Sequence, residues 1–180
     1  MSVVPVARVL TTAQLSDDLV VELRRLLLDA FAGDFSDDDW DHALGGRHVI
    51  VDDDGVAIAH AAVVARMLEV GSRPVRAGYV EAVGTATARQ GEGHGRRAMT
   101  EIGAVLHEHF EMGALATGDH DFYAKLGWER WHGPTYVRGG ATRTRSAEED
   151  DGIMVLRYGA SADVDVTASI SCAARAGDDW

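Results

Sequence analysis

Cysteine is almost absent: Cys172 is the only one in 180 residues, so no intrachain disulfide and no cysteine-based metal cage can form. Basic residues are also scarce, with 17 Lys and Arg against 29 Asp and Glu and a net charge of −12. That balance argues against a nucleic-acid partner, whose phosphates need a basic surface, and makes cations the natural ligands. Long apolar runs are missing. The longest, such as 56–64, are too short and interrupted to span a bilayer, and no charged-then-apolar segment opens the chain, so a soluble, cytoplasmic protein with no membrane partner is expected. No Ser-His-Asp or Cys-His nucleophile setting is recognisable, which favours direct group transfer over a covalent acyl-enzyme. No repeat and no linker divides the chain. With 46% apolar residues it reads as a single domain over 1–180.

What is present begins with Ala77 to Thr100, AGYVEAVGTATARQGEGHGRRAMT. Tyr79 to Val83 alternates as a strand, and Ala98-Met99, Ile102 and Val105-Leu106 return at helical spacing. Between them Gly91, Gly93 and Gly95 let backbone N–H groups converge, with the positive end of a helix behind them, an arrangement suited to a phosphate or pyrophosphate. The alternating glycines do not match the dinucleotide fingerprint GxGxxG. No Lys-Ser/Thr follows, so the turn is not a P-loop either. By itself the turn is equally compatible with a loop that only changes direction.

Along the rest of the chain the pattern predicts an edge strand over Val3–Leu10, a helix capped by Ser16 or Asp17 and ending at Gly33, and a short helix over Trp40–Leu44 capped by Ser36-Asp37-Asp38-Asp39 and terminated by Gly45-Gly46. Asp34 and Asp39 are then expected to flank an aromatic pair, Phe35 and Trp40. A hairpin follows, His48–Val51 and Val56–Leu68, turning through a solvated Asp52-Asp53-Asp54-Gly55. Arg73–Thr85 continues the antiparallel meander. After the helix from Gly95 to Phe110 come a short buried strand over Ala114–Thr117 and a helix in His120–Trp128 stopped by Gly127. Arg138–Asp151 reads as a flexible loop, and Ile153–Tyr158 and Val164–Ser171 as closing strands. The fold class is α+β, with a mixed, mostly antiparallel sheet flanked by helices. His107 and His109 lie two apart and face different directions, so a zinc site is not expected. His60, in an alternating strand, reads as a satisfied core or pocket-wall residue.

Gln90-x-x-Gly93-x-Gly95 resembles the Q/R-x-x-G-x-G/A turn of the GNAT (Gcn5-related) N-acetyltransferases, and Phe122-Tyr123-Ala124-Lys125-Leu126-Gly127-Trp128 resembles their FYxxxGF-type segment. Six further blocks are similar to one branch, the aminoglycoside 2'-N-acetyltransferases: Phe31 to Phe35 with Asp39-Trp40, Ile58 to Ala62, Gly78 to Glu81, Trp131 to Thr135, Asp150 to Gly152, and Arg175 to Asp178 with Trp180. The similarity covers nearly the whole chain.

The resemblance implies a GNAT fold, acetyl-CoA as co-substrate without a metal, an aminoglycoside as acceptor, and a homodimer. It places the acyl-CoA contacts at Ala82, Val83, Gln90, Gly91, Gly93, His94, Gly95 and Arg96, and the substrate contacts at Asp34, Asp39, Glu81, Asp150, Asp178 and the terminal carboxylate of Trp180. Carboxylates from separate loops would hold a polyammonium sugar by charge and by hydrogen bonding.

Catalysis is implied at Glu81, Tyr123 and Trp180. The amine must lose a proton before attack. Glu81 is either that base or only an ammonium anchor, with water and the Trp180 carboxylate taking the proton. A bulge in the strand would aim the Val83 N–H at the acetyl oxygen, and Tyr123 matches the family tyrosine proposed as general acid to the departing thiolate, or is a packed tyrosine with a satisfied hydroxyl. Arg96 and Arg97 either meet CoA phosphates or are solvated, and the acidic tail is either packed or frayed. Two other functions share these features: acetylation of another amine, such as a polyamine, a cell-wall amino sugar or a protein, and non-catalytic binding of a cation.

Overall fold

The computed structural model describes residues 4–180, so Val3, the first residue of the expected opening strand, lies outside the described residues. Two compact units emerge, one of residues 4–64 with 80–104 and one of 65–79 with 105–180. Both are α+β.

In the first unit, strand β1 (Val6–Thr11) pairs antiparallel with β2 (Arg47–Asp53), and β2 pairs antiparallel with the first part of β3 (Val56–Val70). The β2–β3 turn is tight because Asp54 and Gly55 take φ values of 51° and 81°, the left-handed pair that a two-residue hairpin needs. The acids beside it are not simply solvated, contrary to expectation. Asp52 pairs with Arg8 at 2.6 Å and Asp53 with Arg89 at 2.7 Å, since both lie on the strand rather than in the turn.

Helix α1 (Asp17–Ala30) starts where the sequence predicts, with the Ser16 side chain accepting from the Leu19 N–H. It ends through left-handed Ala32 and Gly33. Its spaced leucines 19, 23, 26 and 27 bury against Trp40, Ile50 and Ala57. Helix α1 is more than scaffold: the Asp29 carboxylate accepts from the Thr87 N–H at 2.7 Å, fixing the segment ahead of the glycine turn. Helix α2 (Asp37–His42) begins three residues earlier than predicted, because Ser36 and Asp39 close a reciprocal capping box. The expected Phe35–Trp40 aromatic pair is not the one formed. Phe35 stacks on Phe31 at 5.6 Å, while Trp40 lies against His48 and His60.

The second unit holds the rest of β3, the start of β4 (Arg73–Thr85), β5 (Met112–Ala116), β6 (Glu129–Arg130), β7 (Thr135–Gly139), β8 (Thr142–Arg145), β9 (Ile153–Arg157) and β10 (Ile170–Ala173). Their order is β6-β9-β5-β4-β3-β10-β7-β8. The β4–β5 and β10–β7 pairings are parallel, and the pairings of β9 with β5 and β6, of β10 with β3 and of β7 with β8 are antiparallel. Helix α3 (His94–His109) begins in the first unit and ends in the second, and α4 (His120–Ala124) is capped by the Asp119 side chain.

Arg138–Asp151 is not a flexible loop. It holds the β7–β8 hairpin and a single 3-10 turn, Ala147–Glu149. Its alternating Thr and Arg read as polar because all four β8 residues are exposed at the sheet edge, where charge guards against further pairing.

Gly78 in β4 is required by packing rather than by backbone angle. A Cβ there would stand 2.3 Å from Leu106 Cδ2 and 2.7 Å from Phe110 Cδ2. Gly78→Ala is expected to destabilise the protein by about 1–3 kcal/mol, seen as a lower urea midpoint at an unchanged slope; a wild-type midpoint would contradict this packing.

Candidate active site

In the first unit the site is built on the second half of β4 and the turn that follows. Glu81 is half-buried on the strand. Ala82 next to it has a φ of 50°, a left-handed conformation that costs an alanine on the order of 1–3 kcal/mol unless its surroundings impose it. They do. The Ala82 carbonyl accepts from His60 Nδ1 at 2.7 Å, His60 Nε2 meets His48 Nδ1 at 3.0 Å, and His48 Nε2 meets the Thr12 hydroxyl at 2.9 Å.

Both imidazoles are fully buried. Desolvation lowers His48 to about 4. Desolvation, followed by repulsion from His48, lowers His60 to about 3. The reading of His60 as a satisfied interior residue therefore holds. Its partners escaped the sequence, although His48, two residues before Ile50, and His60, opposite Ile50 in register, share one face of the hairpin.

Beyond Thr85 the chain forms a 3-10 turn, Thr87–Arg89, and then the glycine turn. Gly91 and Gly93 have φ values of 78° and 87°, which glycine adopts without strain. The Gly93 carbonyl receives the Arg97 N–H at 3.0 Å, so the N–H groups of His94, Gly95 and Arg96 open α3 with no carbonyl four residues behind them inside the helix. Gln90 is exposed, with its side-chain amide on the Thr85 carbonyl at 3.2 Å. Arg96 and Arg97 are exposed.

Glu92 would oppose an anion here, but Arg89 Nε holds it at 2.9 Å while Arg89 Nη1 holds Asp53. His94 Nε2 lies 2.9 Å from the same Glu92 carboxylate. Hydrogen bonds from Arg89 and then His94 keep Glu92 below the usual carboxylate range. Donors aimed outward, an acid already neutralised and a helix N-terminus fit a pyrophosphate. Neither Arg89 nor Glu92 figured among the expected site residues; their spacing of three beside the turn was the available signal. Asp34 is exposed on the loop after α1, and the Asp39 carboxylate is occupied by its capping box.

In the second unit Tyr123 is buried, edge-on to Phe122 at 4.9 Å and to Trp128 at 6.1 Å. Burial first, and the Asp119 carboxylate second, push its phenol well above the ordinary value.

The tail is packed rather than frayed. The Trp180 ring is buried, with its indole N–H on Ser146 Oγ at 3.1 Å. Arg175 donates to the Asp178 carbonyl at 2.7 Å and the Trp180 main-chain oxygen at 3.3 Å, and the Arg175 N–H reaches the Asp179 carboxylate at 2.9 Å. Asp178 itself is exposed.

Asp150 is committed inside the protein. Arg145 forks onto both its oxygens, and the Thr135 N–H and hydroxyl reach it at 2.9 Å each. Arg145 above all pulls its pKa to about 2. Near it in the chain, Glu149 has its pKa raised by desolvation first and then by repulsion from Asp178, Glu148 and Asp179.

The description "Acetyltransferase (GNAT) domain" matches residues 12–131. An aminoglycoside 2'-N-acetyltransferase of Mycolicibacterium fortuitum is 42% identical over 178 residues, covering 97% of this chain and 91% of that protein. Among solved structures, the Escherichia coli GNAT family N-acetyltransferase YhbS in complex with CoA superposes with a TM-score of 0.66 at 18% identity, over 93% of this chain and 89% of that one. A GNAT family acetyltransferase from Brucella melitensis in complex with acetyl-CoA gives 0.55 at 20% identity, over 88% and 99%. An Enterococcus faecalis V583 protein of unknown function gives 0.59 at 17% identity over 71% of this chain, which spans only 33% of that longer one.

The two histidines give the first unit a pH signature. Both folded-state values lie below the 6.5 of a free imidazole, so the unfolded chain binds protons first as pH falls. Their contribution is whole above about pH 6.5 and fades toward about pH 4 for His48 and about pH 3 for His60. The melting temperature is expected to drop between pH 7 and pH 5, with a shallower slope in His48→Asn measured by calorimetry; parallel slopes would contradict the assignment.

Proposed function

The chain belongs to the GNAT acetyltransferases, and on that premise we propose that it transfers the acetyl group of acetyl-CoA to the 2'-amino group of an aminoglycoside, the chemistry of an antibiotic-resistance enzyme. The observation that carries the acceptor is the 42% identity to an aminoglycoside 2'-N-acetyltransferase across almost the full length of both chains. The −12 charge suits a polyammonium sugar. We treat residues 1–180 as one catalytic domain.

The glycine turn and the N–H groups of His94, Gly95 and Arg96 hold the CoA pyrophosphate, with Gln90 bracing the turn. Acetyl-CoA supplies the activated acyl group. Glu81 takes a proton from the substrate ammonium, and the freed nitrogen attacks the thioester carbonyl. The Val83 N–H meets the negative charge that develops on the acetyl oxygen. As the new C–N bond closes, the C–S bond breaks toward Tyr123.

A phenol raised above its ordinary value faces a thiol of pKa about 8.5, so Tyr123 stabilises the thiolate by donating a hydrogen bond and keeps its proton. The thiolate is then protonated from solvent. Asp34, Glu81 and Asp178, joined by Glu149, contact the ammonium groups. Asp39 and Asp150 act through the loops they brace, and the terminal carboxylate of Trp180, one oxygen of which is held by Arg175, is a further contact for the ammonium groups.

We assign the enzyme to the cytoplasm, where acetyl-CoA is made, with neither nucleic acid nor membrane as partner. We take it as a homodimer formed through an open sheet edge; light scattering at twice the 19.3 kDa chain mass tests this.

The deciding measurement is release of CoA thiol with two aminoglycosides, one carrying a 2'-amino and one a 2'-hydroxyl group on the same ring. Turnover of only the first is expected. Turnover of both, or of neither, removes the 2' assignment, and faster turnover of a polyamine or a protein amine would move the acceptor class. Glu81→Gln is expected to lower kcat by about 10²- to 10⁴-fold and Tyr123→Phe by roughly 10-fold or more, since it deletes one charge-assisted hydrogen bond.

A further inference from the structure

We infer that His60, backed by His48 and Thr12, is a positioning residue for acetyl transfer that aims the Val83 N–H at the acetyl oxygen. The inference rests on the acetyl-transfer reading for its chemistry, and on the geometry of one peptide unit for everything else.

The peptide joining Ala82 to Val83 is trans, as are the others among the described residues. In a trans peptide the C=O and the following N–H point to opposite sides. His60 Nδ1 grips the Ala82 carbonyl at 2.7 Å from the interior. Both imidazoles have no exposed surface, and Trp40 covers them with ring centroids 6.0 and 6.4 Å away. With the oxygen pulled inward, the Val83 N–H is turned to the opposite face of β4. One side chain thus sets the direction of a backbone donor.

The carbonyl also dictates the direction of the whole relay. A carbonyl only accepts, so His60 carries its proton on Nδ1 and its Nε2 must accept. His48 therefore donates from Nδ1 at 3.0 Å, and its own Nε2 accepts from the Thr12 hydroxyl at 2.9 Å. The Thr12 oxygen in turn accepts from the Gly45 N–H at 2.9 Å. The Thr12 hydroxyl also lies 3.5 Å from the Gly46 carbonyl, but His48 Nε2 is the closer acceptor, and with that bond made the relay is satisfied and holds Ala82 at a φ of 50° that an alanine would otherwise leave.

This arrangement assigns the Nδ1–H tautomer to both histidines, the minor form of a free imidazole. Nitrogen-15 NMR of the uniformly labelled wild-type protein at pH 7 is expected to show Nδ1–H on His48 and His60; Nε2–H on His60 overturns the proposal. This arm needs neither a variant nor activity. Initial rates with acetyl-CoA and a 2'-amino aminoglycoside supply the second arm.

His60→Leu is expected to lower kcat by about 10- to 100-fold with both KM values within about 2-fold. His60→Asn, whose amide nitrogen stands close to the Nδ1 position, should recover most of the loss. Equal losses in the two variants, or a loss confined to KM, would overturn the role. Should His60→Leu fail to fold, Thr12→Val at the outer end of the relay should still lower kcat about 2- to 5-fold at constant KM, and an unchanged kcat would count against the proposal. A wild-type protein inactive on every amine, with both Nδ1–H tautomers in place, would instead fail the acetyl-transfer reading.

Discussion

The peptide between Ala82 and Val83 is the constraint on which the rest of the first unit depends. An alanine does not enter the left-handed region for its own sake, so its φ of 50° has to be imposed. The imposing groups are two buried neutral imidazoles, a half-buried threonine hydroxyl and the ring of Trp40. They in turn require the β2–β3 hairpin in its observed register, the α2 helix that presents Trp40, and the α1 leucines that cover both. The strain at Ala82 is held by the core.

Charge follows a similar logic. The protein is strongly acidic, yet several of its acids are neutralised locally wherever an anion would have to approach or a loop has to be fixed. Arg89 bridges Asp53 and Glu92 at the glycine turn, and Arg145 forks onto Asp150 beneath the β7–β8 hairpin. Glu149 is different, for desolvation and then its acidic neighbours raise its pKa. Carboxylates used as internal braces and a carboxylate set under mutual repulsion can thus be told apart by their partners, which a count of Asp and Glu does not reveal.

The second unit replaces an expected loop with ordered structure. Thr135, Ser146 and Asp150 form a compact hydrogen-bonded knot, and the Trp180 indole docks on Ser146. Arg175 ties the tail residues to one another through three main-chain and side-chain oxygens. A polar stretch is ordered here because Thr135, Thr142, Ser146 and Asp150 each find a partner. Composition alone reads the same residues as mobile.

Local rules made much of this legible from the chain itself. Ser16 and Ser36 as caps, the leucine spacing of α1, the Asp54-Gly55 turn, the full extent of β4 and the glycine turn ahead of α3 all follow from backbone preference and periodicity, which act over a few residues. The membership of the family was readable for the same reason, because its motifs are contiguous. What only the tertiary structure decided are pairings across the chain: that Arg8 meets Asp52 and Arg89 meets Asp53, that Asp150 accepts from the Thr135 N–H, that His48 stands behind His60, and that Trp180 packs on Ser146. Those contacts join residues 12 to 44 positions apart, and their geometry is fixed by strand register and packing. No short stretch of sequence encodes either one.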